Sequence, residues 1–376
     1  MKKKVAWMLP CLCLVSGLLL NGTFYPEMAS AEGKSITLRF TTGWPENHAS
    51  AGVRTKIWIE QVEKVTEGRV KIRGVWGGAL SKPGEILEHV ADGVADLGYE
   101  VWAYHPGKLP MTTALSALIE PKLGRFMDQR LGIAIAQKLY DEYLYKEYEA
   151  LGLKVVLHYG NPVYALASKM PIKKLDDLKG VKIRAFGTYL PIFLKASGAV
   201  PVAVSFGEMY TALQTGVIQA AYTDPDAMFT SKIYEVAPYI TTLGKSKKTS
   251  IGGIPTGYPS VGIFFNLDSW NKISKADRDA IEKMSREIQL HDEMLTESIQ
   301  VKRLADMKAE GATISYLDKE EMAKWADQAP DFLKIVAADL NAKGLPGTEF
   351  INRWKELLED ALEGRWGPPG WTPPER

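Results

Sequence analysis

From Ser35 apolar and polar residues alternate through SITLRFTT, the period of a half-buried strand. After the loop GWPENHAS the period lengthens, and Val53, Ile57, Val62 and Val65 fall on roughly one face of a helix that Gly68 is placed to cap. The strand RVKIRGV follows. SKPGEILEHVADG predicts a second helix, with Pro83 near its first turn and Gly93 just past its end, before the strand VADLGYEV. The order β-α-β-α-β returns from residue 180: strand GVKIRAF, a helix from Thr188 to Ala196 closed by Gly198, strand VPVAV, helix GEMYTALQTG and strand VIQAAYT. Ser205 and Glu208 have the spacing of a capping box, and Gly216 ends that helix. Two such units predict two similarly built α/β lobes with mostly parallel sheets.

Between the units lie a helical region over residues 125–152 and the strand pair LKVVLHY and PVYALAS; after them YPSVGIFFN reads as a strand that crosses back. From Ser274 to about Gly311 apolar residues recur at Ile281, Met284, Ile288, Leu295 and Ile299. A helix of that length is on the order of 50 Å long, more than one lobe's diameter, and reads as a spine touching both lobes. The tail RWGPPGWTPPER is too rich in proline for helix or central strand. At the other end the basic MKKK, the apolar VAWMLPCLCLVSGLLL and the A-x-A pattern Ala29-Ser30-Ala31 predict a signal peptide cut after Ala31. A retained anchor fits less well, because the apolar run is short for a membrane span and carries Pro10.

Composition narrows the function. The 376 residues are 46% hydrophobic and 24% charged, enough for a sizeable core, and 46 basic residues against 45 acidic ones leave no field to recruit nucleic acid or a membrane surface. Cys11 and Cys13 both fall in the leader, so the exported chain has no thiol for a disulfide, a nucleophile or a metal. The sequence lacks a G-x-S-x-G elbow, H-E-x-x-H, P-loop and G-x-G-x-x-G, and His48, His89, His105, His158 and His291 are scattered, reading as loop or surface residues rather than metal ligands. No cofactor is implied. Asp224-Pro225-Asp226, directly after VIQAAYT, is the compact carboxylate pair that stands out by its place after a strand: it suits a hard cation such as Ca²⁺ or Na⁺, a solute hydroxyl or amine, or simply a turn. As metal ligands Asp224 and Asp226 are weak candidates.

Arg184 stands near the carboxyl end of its strand, where open α/β sheets bind ligands, just ahead of a helix start expected at Thr188. A guanidinium there suits a carboxylate, which it grips with two parallel bonds; a surface ion pair is the competing reading. Aromatic residues crowd the strand ends: Tyr164, Phe186, Phe206, Tyr210 and Tyr222 around the second unit, and Trp44, Tyr99, Trp102 and Tyr104 around the first. They suit an apolar pocket with one polar anchor, or an interdomain core.

The stretches LDDLKGVKIRAFG, GAVPVAVSFGEMYTALQTGVIQA and IYEVAPYITTLG, with GGALSKPGEILEHVADGVADLGY in the first unit, resemble the DctP-type substrate-binding proteins of tripartite ATP-independent periplasmic (TRAP) transporters, from about Ser35 to Gly344. The resemblance implies an α/β, two-lobe periplasmic-binding-protein-like fold with a long helix bridging both lobes. It places lobe 1 at 32–161 and 250–295, lobe 2 at 162–249 and 296–350, and a helix end with the proline-rich tail at 351–376. It further implies a periplasmic receptor, not an enzyme, that closes on a small organic acid and delivers it to small and large membrane subunits for secondary-active uptake.

In that family the arginine of the K-I-R strand commonly binds the solute carboxylate, the position of Arg184. Where sialic-acid-binding relatives carry a second arginine, this sequence has Tyr164. The family's common D-G-Q-E-N-P is replaced by QAAYTDPD, which puts Thr223 or Asp224 where an asparagine often touches the solute. The expected solute-binding set is therefore Arg184, Tyr164, Phe186, Phe206, Tyr222, Thr223 and Asp224, with Trp44, Tyr99 and Trp102 from the first lobe. A monocarboxylate with an aromatic or amino substituent suits this set as well as a C4-dicarboxylate. The alternatives are a binding protein for an ATP-driven importer and, further off, an enzyme on a two-lobe α/β scaffold.

Overall fold

A computed structural model of the chain describes residues 35–118, 129–160, 164–242, 261–291 and 293–373. The expected signal peptide and its cleavage site lie outside the described residues. In chain order the strands are β1 (Ile36–Thr42), β2 (Val70–Val75), β3 (Leu97–Val101), β4 (Leu153–Tyr159), β5 (Ala165–Ser168), β6 (Lys182–Ala185), β7 (Val200–Ala203), β8 (Ala220–Thr223), β9 (Tyr239–Thr242), β10 (Val261–Asn266) and β11 (Thr313–Tyr316).

They form two sheets, ordered β2-β1-β3-β10-β4 and β11-β9-β5-β8-β6-β7. In the first, β1 runs parallel to β2 and β3, and β10 is inserted antiparallel between β3 and β4. In the second, β6 runs parallel to β7 and β8, and β5 is inserted antiparallel between β8 and β9. Each sheet thus holds an antiparallel strand reached by a crossing of the chain, β10 in the first, as expected for VGIFFN, and β5 in the second. LKVVLHY and PVYALAS do not pair; they belong to different sheets, because the chain changes lobe between them.

The helices that matter for the site are α1 (Arg54–Val65), α2 (Ile86–Ala91), α3 (Gln129–Leu139), α4 (Leu190–Ala196), α5 (Met209–Thr215), α6 (Pro225–Thr230), α7 (Lys275–His291), α8 (Glu293–Ala309), α9 (Phe332–Ala342) and α10 (Gly347–Leu362). The predicted spine is this α7–α8 run, with position 292 outside the described residues. It touches both lobes: α7 packs on α1, α3 and β4, and α8 packs on α6 and β11. Among the described residues no helix is long and apolar enough to cross a membrane.

The buried face of α1 differs from the one expected. Val53 and Ile57 are exposed, and Arg54, Thr55, Trp58 and Val62 point inward. Trp58 sets the phase: its ring is fully buried and its Nε1–H donates to Ser285 Oγ on α7 at 2.8 Å, a large apolar area with a satisfied polar edge. The capping box before α5 is as expected, with Ser205 Oγ donating to Glu208 Oε2 at 2.7 Å, and Gly216 ends that helix at φ 80°. After α9, α10 turns back onto α3, and Arg353 forks onto Glu142, just past the end of α3, with two 2.8 Å bonds.

Candidate functional site

β6 lies between β7 and β8 and parallel to both, so the carboxyl ends of all three open on the same side. Arg184 is the last residue but one of β6 and is 2% exposed. Its Nε–H donates to the Val204 carbonyl at 3.1 Å, one Nη1–H to the Tyr222 carbonyl at 3.4 Å, and one Nη2–H to the Tyr104 hydroxyl at 3.2 Å. Three of the five guanidinium N–H bonds are engaged, which leaves one on each terminal nitrogen. Every partner is neutral; among the described residues no carboxylate bonds this cation. The surface ion pair is thereby replaced by a buried cation. The adjacent helix starts at Leu190 rather than Thr188 and is seven residues long, because Gly187 at φ 66° makes a turn and Pro191 takes the first helical turn. Arg184 itself, not a helix end, is the positive pole.

Around it the aromatic residues form two groups. Phe186 lies under the guanidinium at 4.6 Å, Tyr104 meets Phe186 edge-on at 5.8 Å, and Tyr164 lies 6.3 Å from Phe186 and 5.4 Å from Tyr222. In the second group Trp44 stands between Tyr99 at 5.5 Å and Phe206 at 5.6 Å, and Tyr99 leads to Tyr159 at 6.0 Å, over whose ring Arg54 lies at 4.1 Å. The contacts Trp44–Phe206 and Tyr104–Phe186 join residues following strands of the first sheet to residues following strands of the second. Trp102 is elsewhere: it is fully buried between Tyr148 and Phe264, both at 5.3 Å, in the core of the first sheet. Its ring contacts are with these two residues and not with the strand-end aromatics, a difference that strand periodicity does not fix once β3 gives way to the short turn Trp102–Tyr104. Thr223 is buried at the end of β8, in register with Ala165.

Asp224 caps α6, accepting from Ala227 N–H at 2.9 Å, so the turn reading of Asp-Pro-Asp holds locally. It is also buried, and burial pushes its carboxyl above the usual range, with Asp226 adding to the rise. Asp226 is fully buried; it accepts from Arg303 Nε at 2.9 Å and, across the lobes, from Ala49 N–H at 2.6 Å. His48, expected as a loop or surface residue, lies in the loop after β1 but is 3% exposed, with Nδ1 accepting from Ala51 N–H at 3.1 Å. That bond puts the ring proton on Nε2, which has no partner among the described residues. His105 and His158 are buried as well.

His48, Asp224 and Asp226 bring possible metal-ligating atoms within 4.8 Å of one another. Both Asp226 oxygens are already committed to Arg303 and Ala49, so what the cluster offers a solute is one Asp224 oxygen and the His48 Nε2–H. Tyr164 feels both poles: burial first and Asp224 next push its phenol upward, and Arg184 opposes them.

The sequence profile of the bacterial extracellular solute-binding proteins, family 7 (DctP), matches residues 40–339. The chain belongs to this family. It is 30% identical over 233 residues to a solute-binding protein of Sulfitobacter sp. (strain NAS-14.1), covering 61% of this chain and 67% of the relative. It is 25% identical over 289 residues to the C4-dicarboxylate-binding periplasmic protein DctP of Rhodobacter capsulatus, covering 71% and 77%. A TRAP periplasmic solute-binding protein from Desulfovibrio salexigens superimposes with a TM-score of 0.67 at 25% identity, over 89% of this chain and 99% of that one. The DctP-family chain is thus a two-lobe TRAP-type receptor, and the importer and enzyme alternatives are not favoured.

Residues that sequence reasoning passed over are His48, Tyr104, Tyr159 and Arg54. Of these only Tyr104 stood among the strand-end aromatics, without a role. The signal that would have marked the others is burial of a polar group, which a single sequence does not display.

Proposed function

We propose that this DctP-family receptor captures an organic acid by seating its carboxylate on Arg184, and releases it unchanged to TRAP membrane subunits. The observation that carries this reading is the buried guanidinium with only neutral partners. An uncompensated buried charge costs several kcal/mol, so an anion that reaches it recovers much of that cost. Aromatic rings from both lobes suit a flat or aromatic body. Asp224 and the His48 Nε2–H supply a second pole that suits a hydroxyl or amine, which favours a substituted monocarboxylate over the C4-dicarboxylate named for the Rhodobacter relative. The lobe limits given above are supported by the sheets: β1–β4 and β10 fall in the first set of segments, and β5–β9 and β11 in the second. Export with cleavage after Ala31 completes the reading, and the mass of the exported chain checks it.

Calorimetry with Arg184→Ala tests the site. Removing one partner of a buried ion pair costs roughly 3–5 kcal/mol, so the variant loses a hundred-fold or more in affinity for acids the wild type binds, while remaining folded. Near-wild-type affinity refutes the reading.

A further inference from the structure

We propose that the Tyr104 hydroxyl is a second donor to the solute carboxylate, contributed by the first lobe beside Arg184 of the second, so that the anion bridges the lobes. The proposal rests on the anion-site reading of Arg184.

Tyr104 follows β3 of the first sheet in the turn Trp102–Tyr104, and its oxygen accepts from Arg184 Nη2 at 3.2 Å. An oxygen that accepts from a guanidinium turns its own hydrogen away from it, and among the described residues no acceptor takes that hydrogen. Burial pushes the phenol upward, so it keeps its proton at neutral pH and acts as a donor. The remaining Nη1–H and Nη2–H of Arg184 and the Tyr104 O–H therefore stand together as donors. A carboxylate, with about four lone-pair sites, is the acceptor that takes all of them.

The placement is rigid. Phe186 carries the guanidinium on its face and meets the Tyr104 ring at an interplanar angle of 73°, so one side chain contacts both donor groups. The backbones of the two lobes also meet here: a Cβ on Gly187 would come within 3.1 Å of the Ala103 Cβ and carbonyl oxygen. A tyrosine from the opposite lobe thus takes the part of a second cation, and it engages the solute only when the lobes are apposed.

The test uses Tyr104→Phe, which keeps the ring against Phe186. Wild type, Tyr104→Phe and Arg184→Ala are titrated by calorimetry with benzoate, 3-hydroxybenzoate, succinate and pyroglutamate, and small-angle scattering follows compaction at saturation. For the acid the wild type binds most tightly, Tyr104→Phe is expected to weaken binding about ten- to a hundred-fold and to reduce the compaction, with Arg184→Ala weaker still. Unchanged or tighter binding by Tyr104→Phe, with Arg184→Ala defective, overturns the proposal and leaves the anion site standing, since Tyr104 then only props the arginine. Unchanged binding by Arg184→Ala overturns the anion site and the proposal together. So does a wild type that binds none of the four acids at millimolar concentration.

Discussion

Asp224 shows how one side chain serves both fold and site. One oxygen caps α6 through Ala227 N–H, and the carboxyl sits with its acidity weakened by burial beside His48. Asparagine keeps the cap at little cost, because Asn and Asp are about equal as N-caps. Asp224→Asn should therefore leave unfolding free energy within about 1 kcal/mol of wild type while lowering affinity for amino- and hydroxy-substituted acids about ten-fold relative to unsubstituted ones. A thermal-shift ranking across such a panel that matches the wild type would refute the second pole. Arg184 was legible in the sequence because a cation at a strand's carboxyl end is a local pattern. The partners across the lobes were not: Tyr104 is 80 positions from Arg184, and Ala49 lies 177 positions from the Asp226 it bonds, separations that no periodicity spans.

At the scale of elements, strands were read more truly than helix faces. A period of two leaves only two phases, and the buried strands β3, β6 and β8 all fell where alternation or short apolar runs put them. A helix offers a continuous choice of phase, and one fully buried tryptophan turned α1 away from the face that Val53 and Ile57 suggested. The turn after β6 is where element geometry reaches the site. Gly187 has φ 66°, in the left-handed region, where alanine costs about 1 kcal/mol, and a Cβ there also presses on Ala103 of the other lobe. Gly216 is the control: it has φ 80° with nothing within 4 Å of an added Cβ. Gly187→Ala and Gly216→Ala should lose similar stability, and only Gly187→Ala should lose solute affinity, by about ten-fold for each 1.4 kcal/mol of strain confined to the apposed state. Equal affinities of the two variants would count against apposition of the segments 103–104 and 184–187 as part of binding.

For the molecule as a whole, the α7–α8 run and the two crossings tie the sheets together, so a group buried against the spine bears on the stability of the entire fold. His158 on β4 is such a group. Its backbone N–H donates to Gln289 of α7, its ring meets Tyr140 at 5.2 Å, and neither ring nitrogen has a partner among the described residues. Burial, with Arg286 adding to it, pushes its pKa down from 6.5 to about 4. The folded chain therefore binds fewer protons than the unfolded chain between these values. Stability is fully present above pH 6.5, falls as pH drops through the interval, and levels off below about 4, for a loss of up to about 3 kcal/mol. The paired carboxylates Asp277 and Asp306, held low by Arg69 and Lys302, add their losses below the ordinary carboxylate range. Asp224 and Glu147, both pushed up by burial, tilt the curve the other way above that range. The difference between wild type and His158→Leu removes these common contributions. Urea unfolding of the two proteins at intervals from pH 7.5 to 4 should show the wild type losing about 3 kcal/mol more than the variant, with the divergence beginning near pH 6.5. Parallel curves would mean that the buried imidazole takes its proton as readily in the folded chain as in the unfolded one.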